Sequence, residues 1–305
     1  MIDNIGEVKV NYKYYSGVDL YSDGKIEEDL LHIAQTYKEQ DLEEFVRKTD
    51  SWPIVYHFST IRGNIVESLP IGNEDDVLEI GAGCGAITGT LASKARHVTC
   101  IELSKQRSLI NAYRNDKYSN IEIMVGNFQD IESNLQQKFD YITLIGVFEY
   151  AASYITGSDS YFTFICKIME HLKENGKIVI AIENKFGMKY WSGAAEDHVG
   201  RVFEGIEDYS STTGVKTFSK MELEELMDRC GVTKRTFYYP YPDYKFPRTI
   251  YSDDFLPKFN EIGNAPLMDQ QMNLRLFDEK KAFNNILKNN LFPLYSNSYL
   301  IVGER

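Results

Sequence analysis

The chain has 305 residues, 43% of them hydrophobic, and carries 33 Lys and Arg against 45 Asp and Glu, a formal net charge of -12. That balance argues against a nucleic-acid partner, which demands a basic face. No apolar run is long enough to span a membrane, and the polar start Met1-Ile2-Asp3-Asn4 does not read as a signal peptide. Four scattered cysteines, none in a C-x-x-C pair, point to free thiols in a reducing cytoplasm, and the five histidines show no metal-ligand spacing.

Residues 1–70 read as an N-terminal extension that serves as a lid. Val8 to Tyr12 alternates like a short strand, Lys25 to Thr49 reads as helical, and a further helix is expected over 61–69, ending before Pro70. Arg62 in that helix reads as solvent-exposed, the alternative being a partner for the carboxylate of a methionine tail. From residue 71 to 305 the pattern is that of one α/β domain. Strands and helices alternate over 76–81, 86–95, 97–103, 104–115, 121–127, 139–147, 160–174 and 177–183, which argues for a parallel sheet with helices on both faces. Asn175-Gly176 reads as the end of a helix, and Ser219-Lys220-Met221-Glu222 as a capping box opening a helix over 220–230. Strands follow over 234–239 and 298–303. Insertions at about 184–218 and 240–291 exceed ordinary connections, and such long loops are commonly functional.

The most informative stretch is Val77-Leu78-Glu79-Ile80-Gly81-Ala82-Gly83-Cys84-Gly85-Ala86, followed one helix later by Val98-Thr99-Cys100-Ile101-Glu102-Leu103. An apolar strand enters alternating glycines, then a helix, then a second strand ending on a carboxylate. This unit holds an adenosine-bearing cofactor at the carboxyl end of a parallel sheet. Gly81, Gly83 and Gly85, with Ala82 between them, leave room for close backbone approach, and Glu102 can accept both hydrogen bonds of a ribose diol. Gly81-x-Gly83-x-x-Ala86 also fits the loose dinucleotide pattern. Two features favour S-adenosylmethionine. Glu79 suits an ammonium-bearing tail and would repel a pyrophosphate. A third strand, in the stretch Ile121 to Phe128, ends in an amide, Asn127, and an aromatic, Phe128, which can meet an adenine edge.

On these residues the chain resembles class I S-adenosylmethionine-dependent methyltransferases over roughly 70–187. The resemblance implies a Rossmann-like sheet, mostly parallel with one antiparallel strand. It also implies that Glu102 binds ribose and that Gly126-Asn127-Phe128 binds adenine. Phe139 to Tyr150, which contains Gly146, resembles the fourth strand, whose end faces the reacting methyl. That segment lacks the Asn/Asp-Pro-Pro-aromatic cluster with which nucleic-acid methyltransferases grip a flipped base.

Methyl transfer from a sulfonium is a direct displacement that needs alignment and, for an alcohol acceptor, removal of a proton. His198 is the candidate base, with the adjacent Asp197 to orient its ring. Glu149 and Glu183, at the ends of the fourth and fifth strands, can bind substrate hydroxyls, act as base, or hold a divalent metal with Asp197; no metal is assigned. The run Tyr238 to Pro247 offers either aromatic faces for a sugar ring or a proline-pinned cluster closing the core.

Across nearly the whole chain, Ile182 to Gly187, Glu196-Asp197-His198, Thr217 to Lys220 and Tyr239 to Lys245 resemble a bacterial methyltransferase group associated with glycosyltransferases of surface-polysaccharide assembly. The implied reaction is O-methylation of a small-molecule or glycan hydroxyl in the cytoplasm, with possible glycosyltransferase association. N-methylation of an amino sugar or peptide, and a non-catalytic scaffold, are the alternatives.

Overall fold

The structure is a computed structural model describing residues 1–19, 24–155, 157, 159–210, 212, 214–263 and 275–305. Part of the second expected insertion therefore lies outside the described residues. The chain divides into two compact units. The first comprises Met1–Leu144, Lys167–Ile178 and Arg305, and the second Ile145–Cys166 and Val179–Glu304.

In the first unit, β1 (Ile2–Ile5) and β2 (Val8–Tyr14) precede α1 (Lys25–Thr36), α2 (Glu39–Lys48) and α3 (Trp52–Phe58). A 3₁₀ turn (Thr60–Gly63) leads into α4 (Asn64–Glu67). Then come β3 (Asp76–Ile80), α5 (Thr88–Ala92), β4 (His97–Glu102), α6 (Lys105–Arg114), β5 (Ile121–Gly126), α7 (Phe128–Glu132) and β6 (Phe139–Ile145). The strands lie in the order β1-β2-β5-β4-β3-β6. All pairings are parallel except β1 with β2. Ile80 is opposite Ile101 and Glu102 opposite Val125, so β3, β4 and β5 finish at one edge. Because both sheet faces are covered, these strands read as apolar runs rather than alternating ones.

The helical stretch expected over 25–49 is two helices. Tyr37 turns extended, and the Lys38 ammonium ties the break to the carbonyls of Ala34 (3.0 Å) and Tyr113 (2.6 Å) and to Asp116 (2.8 Å). The N-terminal helices do not stand apart: Leu30, Ile33, Leu42, Val46 and Phe58 pack in one cluster with Cys84 of the glycine loop and Ile110 of α6. Asp19 places its carboxylate on the first amides of α6, Lys105 (2.6 Å) and Gln106 (3.2 Å), where the helix dipole favours an anion.

The second unit contains a 3₁₀ turn (Phe148–Tyr150), α8 (Ala151–Tyr154), most of α9 (Ser160–Glu170) and the end of β7 (Leu172–Glu183). It continues with α10 (Met188–Trp191), α11 (Lys220–Arg229), β8 (Lys234–Tyr241), β9 (Thr249–Ser252), α12 (Glu279–Lys288), α13 (Phe292–Tyr295) and β10 (Ser298–Glu304). Its strands run β7-β10-β8-β9, with β10 and β9 both antiparallel to β8. The molecule is thus an α/β, Rossmann-like sheet, mostly parallel, with the last strand antiparallel as expected and further antiparallel pairs at the margins. Asn175-Gly176 does not end a helix. α9 stops at Glu170, and Asn175 sits at φ 63° inside β7.

The capping box is present as read: Ser219 accepts from Glu222 N (3.3 Å) while Glu222 accepts from Ser219 N (2.8 Å). Removing it with Ser219→Ala should cost about 1 kcal/mol of stability, measured by urea unfolding. An unchanged midpoint would show that the cap contributes nothing.

Candidate functional site

In the first unit the loop after β3 is built from left-handed glycines, Gly81, Gly83 and Gly85 at φ 71°, 53° and 74°. The amides of Gly81 (2.8 Å) and Ala82 (3.3 Å) both donate to the carbonyl of Ile101 on β4. The two later glycines differ in what surrounds them. A Cβ on Gly85 would meet Asn111 Oδ1 at 2.3 Å, whereas one on Gly83 would meet nothing within 4 Å. The loop is therefore sealed against α6 and open on its other side, the shape of a cradle whose contents lie against Gly83.

Glu102 is buried, with Oε2 accepting from Gly83 N (2.8 Å) and Oε1 from Ser104 N (2.9 Å). Burial raises its pKa, and the amides of Ser104, Gly83 and Leu103 pull the other way. Each carboxylate oxygen keeps a second lone pair, so a ribose diol can still be accepted. Glu79 lies buried under the loop, accepting from Thr88 Oγ1 (2.7 Å), and burial pushes its carboxyl up to about 7. Thr88 is held in turn by Asn111 Nδ2 (3.0 Å), and Asn115 donates to Asn111 Oδ1 (2.8 Å). These three residues were missed from sequence; two asparagines four apart on the buried face of a helix were the available signal. Asn127 caps α7, its Oδ1 accepting from Gln129 N (3.1 Å), so one acceptor position on that oxygen is already used. Phe128 is buried at the start of the same helix. Arg62, expected to be exposed, is buried in the 3₁₀ turn and stacked on Tyr56.

In the second unit, Glu149, Glu183 and His198 come together, each offering one donor atom within 4.8 Å of the others. His198 Nε2 faces Glu183 Oε2 (3.3 Å), and its Nδ1 meets the Tyr150 hydroxyl (2.8 Å). Burial alone would lower the His198 pKa, but the Glu183 carboxylate, then Glu149, outweigh it and raise the imidazole to about 9. Glu196 holds the backbone here, its Oε2 accepting from the amides of His198 (2.8 Å) and Val199 (2.7 Å).

Asp197 does not orient the ring as expected. Its carboxylate is turned to Lys245 (2.7 Å), Lys189 (2.8 Å) and the Tyr190 hydroxyl. Successive residues on this loop point in different directions, and two half-buried ammonium groups attract Asp197 more strongly than an imidazole does. Lys245 also binds Glu183 Oε1, so the cation beside this carboxylate is already an ammonium. Burial would raise the Glu183 pKa, yet Lys245 and His198 hold it well below the carboxylate range. Glu149 is different: burial pushes it up to about 8, and its Oε2 has no hydrogen-bond partner. Gly146 adopts φ 69° and presses against the Tyr244 hydroxyl, leaving no room for a side chain. Tyr239 and Tyr244 are buried, so the aromatic run closes the core rather than presenting sugar-stacking faces.

Residues 78–178 match a family model described as a methyltransferase domain. That match spans about a third of the chain. The match in sequence to the small-subunit ribosomal RNA methyltransferase A of Malacoplasma penetrans is 35% identical over 80 residues, 26% of this chain and only 29% of that protein. The ubiquinone biosynthesis O-methyltransferase of Rickettsia canadensis is 24% identical over 208 residues, 63% of this chain and 82% of that one. A solved S-adenosylmethionine-dependent methyltransferase from Thermotoga maritima, a possible histamine N-methyltransferase, has 16% identity and a TM-score of 0.46, covering 90% of this chain and 99% of that chain. Among the described residues, no helix is long and apolar enough to cross a membrane.

The contrast between the two glycines is testable. Gly83→Ala should lower affinity for S-adenosylhomocysteine tenfold or more, while costing only about 1 kcal/mol for its left-handed backbone. Gly85→Ala should instead cost roughly 2 kcal/mol or more in stability, because strain and overlap with Asn111 add. Calorimetric titration and denaturant unfolding of both variants would separate the effects; equal behaviour would contradict the cradle.

Proposed function

We propose that the chain transfers a methyl group from S-adenosylmethionine to a hydroxyl of a small molecule, with His198 as the proton acceptor. The observation that carries this reading is the buried imidazole held between Tyr150 and Glu183. Methyl displacement at a sulfonium leaves an oxonium unless the acceptor loses its proton, and a histidine backed by a carboxylate is suited to taking it. With Nε2 committed to Glu183, Nδ1 is the position that accepts, and the Tyr150 hydroxyl sits on it. The acceptor's proton passes to the Tyr150 oxygen as the phenol's own proton moves to Nδ1. Glu183, kept ionised by Lys245, stabilises the imidazolium that results. Gly81, Ala82, Gly83 and Gly85 with Glu79, Glu102, Leu103, Asn127 and Phe128 form the proposed cofactor cradle.

A sugar or glycan hydroxyl is the proposed acceptor class, supported by the likeness to methyltransferases of surface-polysaccharide assembly. The aromatic run lends it no support, since its rings are largely internal. Association with a glycosyltransferase rests on the same likeness. The net charge of -12 counts against an RNA acceptor.

At pH 7.5 a histidine with a pKa of about 9 is only roughly 3% neutral, so the base is mostly occupied by its own proton. Turnover should therefore climb with pH towards about 9 and level off above it. Glu183→Gln removes the charge that holds the proton and should move this inflection down towards 6.5. His198→Ala should lower kcat about a hundredfold with cofactor affinity unchanged. Radiolabelled methyl transfer from S-adenosylmethionine to p-nitrophenyl glycosides reports all three. Wild-type turnover in His198→Ala, or an inflection unmoved in Glu183→Gln, would remove the dyad from the mechanism.

A further inference from the structure

Building on the methyltransferase reading, we infer that Arg62 takes the carboxylate of the cofactor's amino-acid tail, with Glu79 on the side of its ammonium. Arg62 is only 8% exposed, and its Nε is buried without any hydrogen-bond partner. Its Nη1 donates to the carbonyl of Tyr56 (3.1 Å), and the guanidinium lies 4.1 Å over the Tyr56 ring. A planar group already fixed by stacking and one backbone bond, with a donor left over, is preorganised for an anion.

Charge balance points the same way. Among the described residues, neither Arg62 nor the nearby Arg114 has a carboxylate at ion-pairing distance. Arg114 spends its nitrogens on the carbonyls of His57 and Phe58. Burial, then the charge of Arg62, lowers Arg114 to about 10, and the same two causes drive His57 down to about 3. Two guanidinium groups and a neutral imidazole thus lie close together here, and the carboxyl that feels the arginine charges is the buried Glu79. Uncompensated buried charge is costly, and an incoming carboxylate would relieve it.

Position supplies the rest. Gly63 packs so closely on α5 that a Cβ would lie 2.3 Å from Thr90 Oγ1, which fixes the Arg62 turn against the helix that leaves the glycine loop. Two residues earlier, Thr88 holds Glu79 (2.7 Å), and the Arg62 charge is felt at that carboxyl. A guanidinium and a carboxylate flanking one loop match a zwitterionic amino-acid tail. A pyrophosphate, negative throughout, would be repelled by Glu79.

The test compares S-adenosylhomocysteine with its decarboxylated analogue, which keeps the nucleoside, the thioether and the ammonium. Binding of each is measured by calorimetric titration. Wild-type protein should favour S-adenosylhomocysteine. Arg62→Met should weaken S-adenosylhomocysteine by about thirtyfold to a hundredfold while changing the decarboxylated analogue by less than about threefold. Arg62→Lys keeps the charge and should retain most of the preference. Equal weakening of both ligands would show Arg62 to be a structural prop, and undiminished preference in Arg62→Met would show that the carboxylate binds elsewhere; either result overturns the assignment. Wild-type protein that binds neither nucleoside would refute the cofactor reading itself.

Discussion

The Glu102 carboxylate joins the amide of Gly83 to that of Ser104, and this pair of hydrogen bonds couples the loop after β3 to the loop after β4. Parallel strands are linked along their length by backbone bonds, but their exits are not. Without a shared partner the two loops would be set independently by their own turns. Here the glycine loop is held from three directions: by Ile101 O below, by Glu102 at its middle, and by the Thr88–Asn111–Asn115 chain behind Gly85. A rigid loop of left-handed glycines offers backbone to a ligand without an ordering cost at binding.

The same scaffold explains why burying Glu79 is tolerable. A carboxylate with one hydroxyl and a weak thiol donor is poorly solvated, so its proton affinity rises until it is half-ionised near neutral pH. Such a group binds a cationic partner more strongly than an exposed acid does, because little water must be displaced from it. The His198 cluster uses the opposite device. There Glu183 is kept fully ionised by Lys245, and the imidazole is made more basic by that fixed charge. One carboxylate is left short of charge compensation and the other over-supplied.

Much of the first unit was legible because its determinants are local. Apolar runs define buried strands, alternating glycines define a turn that other residues cannot make, and a strand-end acid follows from the βαβ pattern. The parts that were not legible depend on contacts distant in sequence. Nothing near Asp197 reveals that Lys189 and Lys245, one on each side of it in the chain, converge on its carboxylate. Arg62 reads as exposed from its neighbours but is buried, stacked on Tyr56 in a turn whose Gly63 packs on Thr90 of α5. Asn175-Gly176 carries the residues of a helix end, yet β7 takes both of them, since strand pairing overrode the local preference. The aromatic run after β8 was equally compatible with surface and core, and the packing of Tyr239 on Phe292 and Tyr299 decided for core.

The chemistry is divided between two kinds of sequence, and the division has a physical basis. The proposed cofactor cradle needs a fixed backbone shape, and its glycines sit at the ends of buried strands, where they cannot be exchanged without strain. The proposed acceptor chemistry needs titratable side chains whose proton affinities are set by neighbours, and these come from both sources: Glu183 ends β7, while Asp197 and His198 lie in one insertion and Lys245 in the other. Insertions tolerate substitution of such neighbours at little cost to the sheet. A change at Lys245 alters the charge on Glu183, and through it the basicity of His198, while β3 and its loop keep their hydrogen bonds. The loop after β3 is held through Glu102 and the Thr88–Asn111–Asn115 chain, whereas the basicity of His198 is set by Glu183 and Lys245.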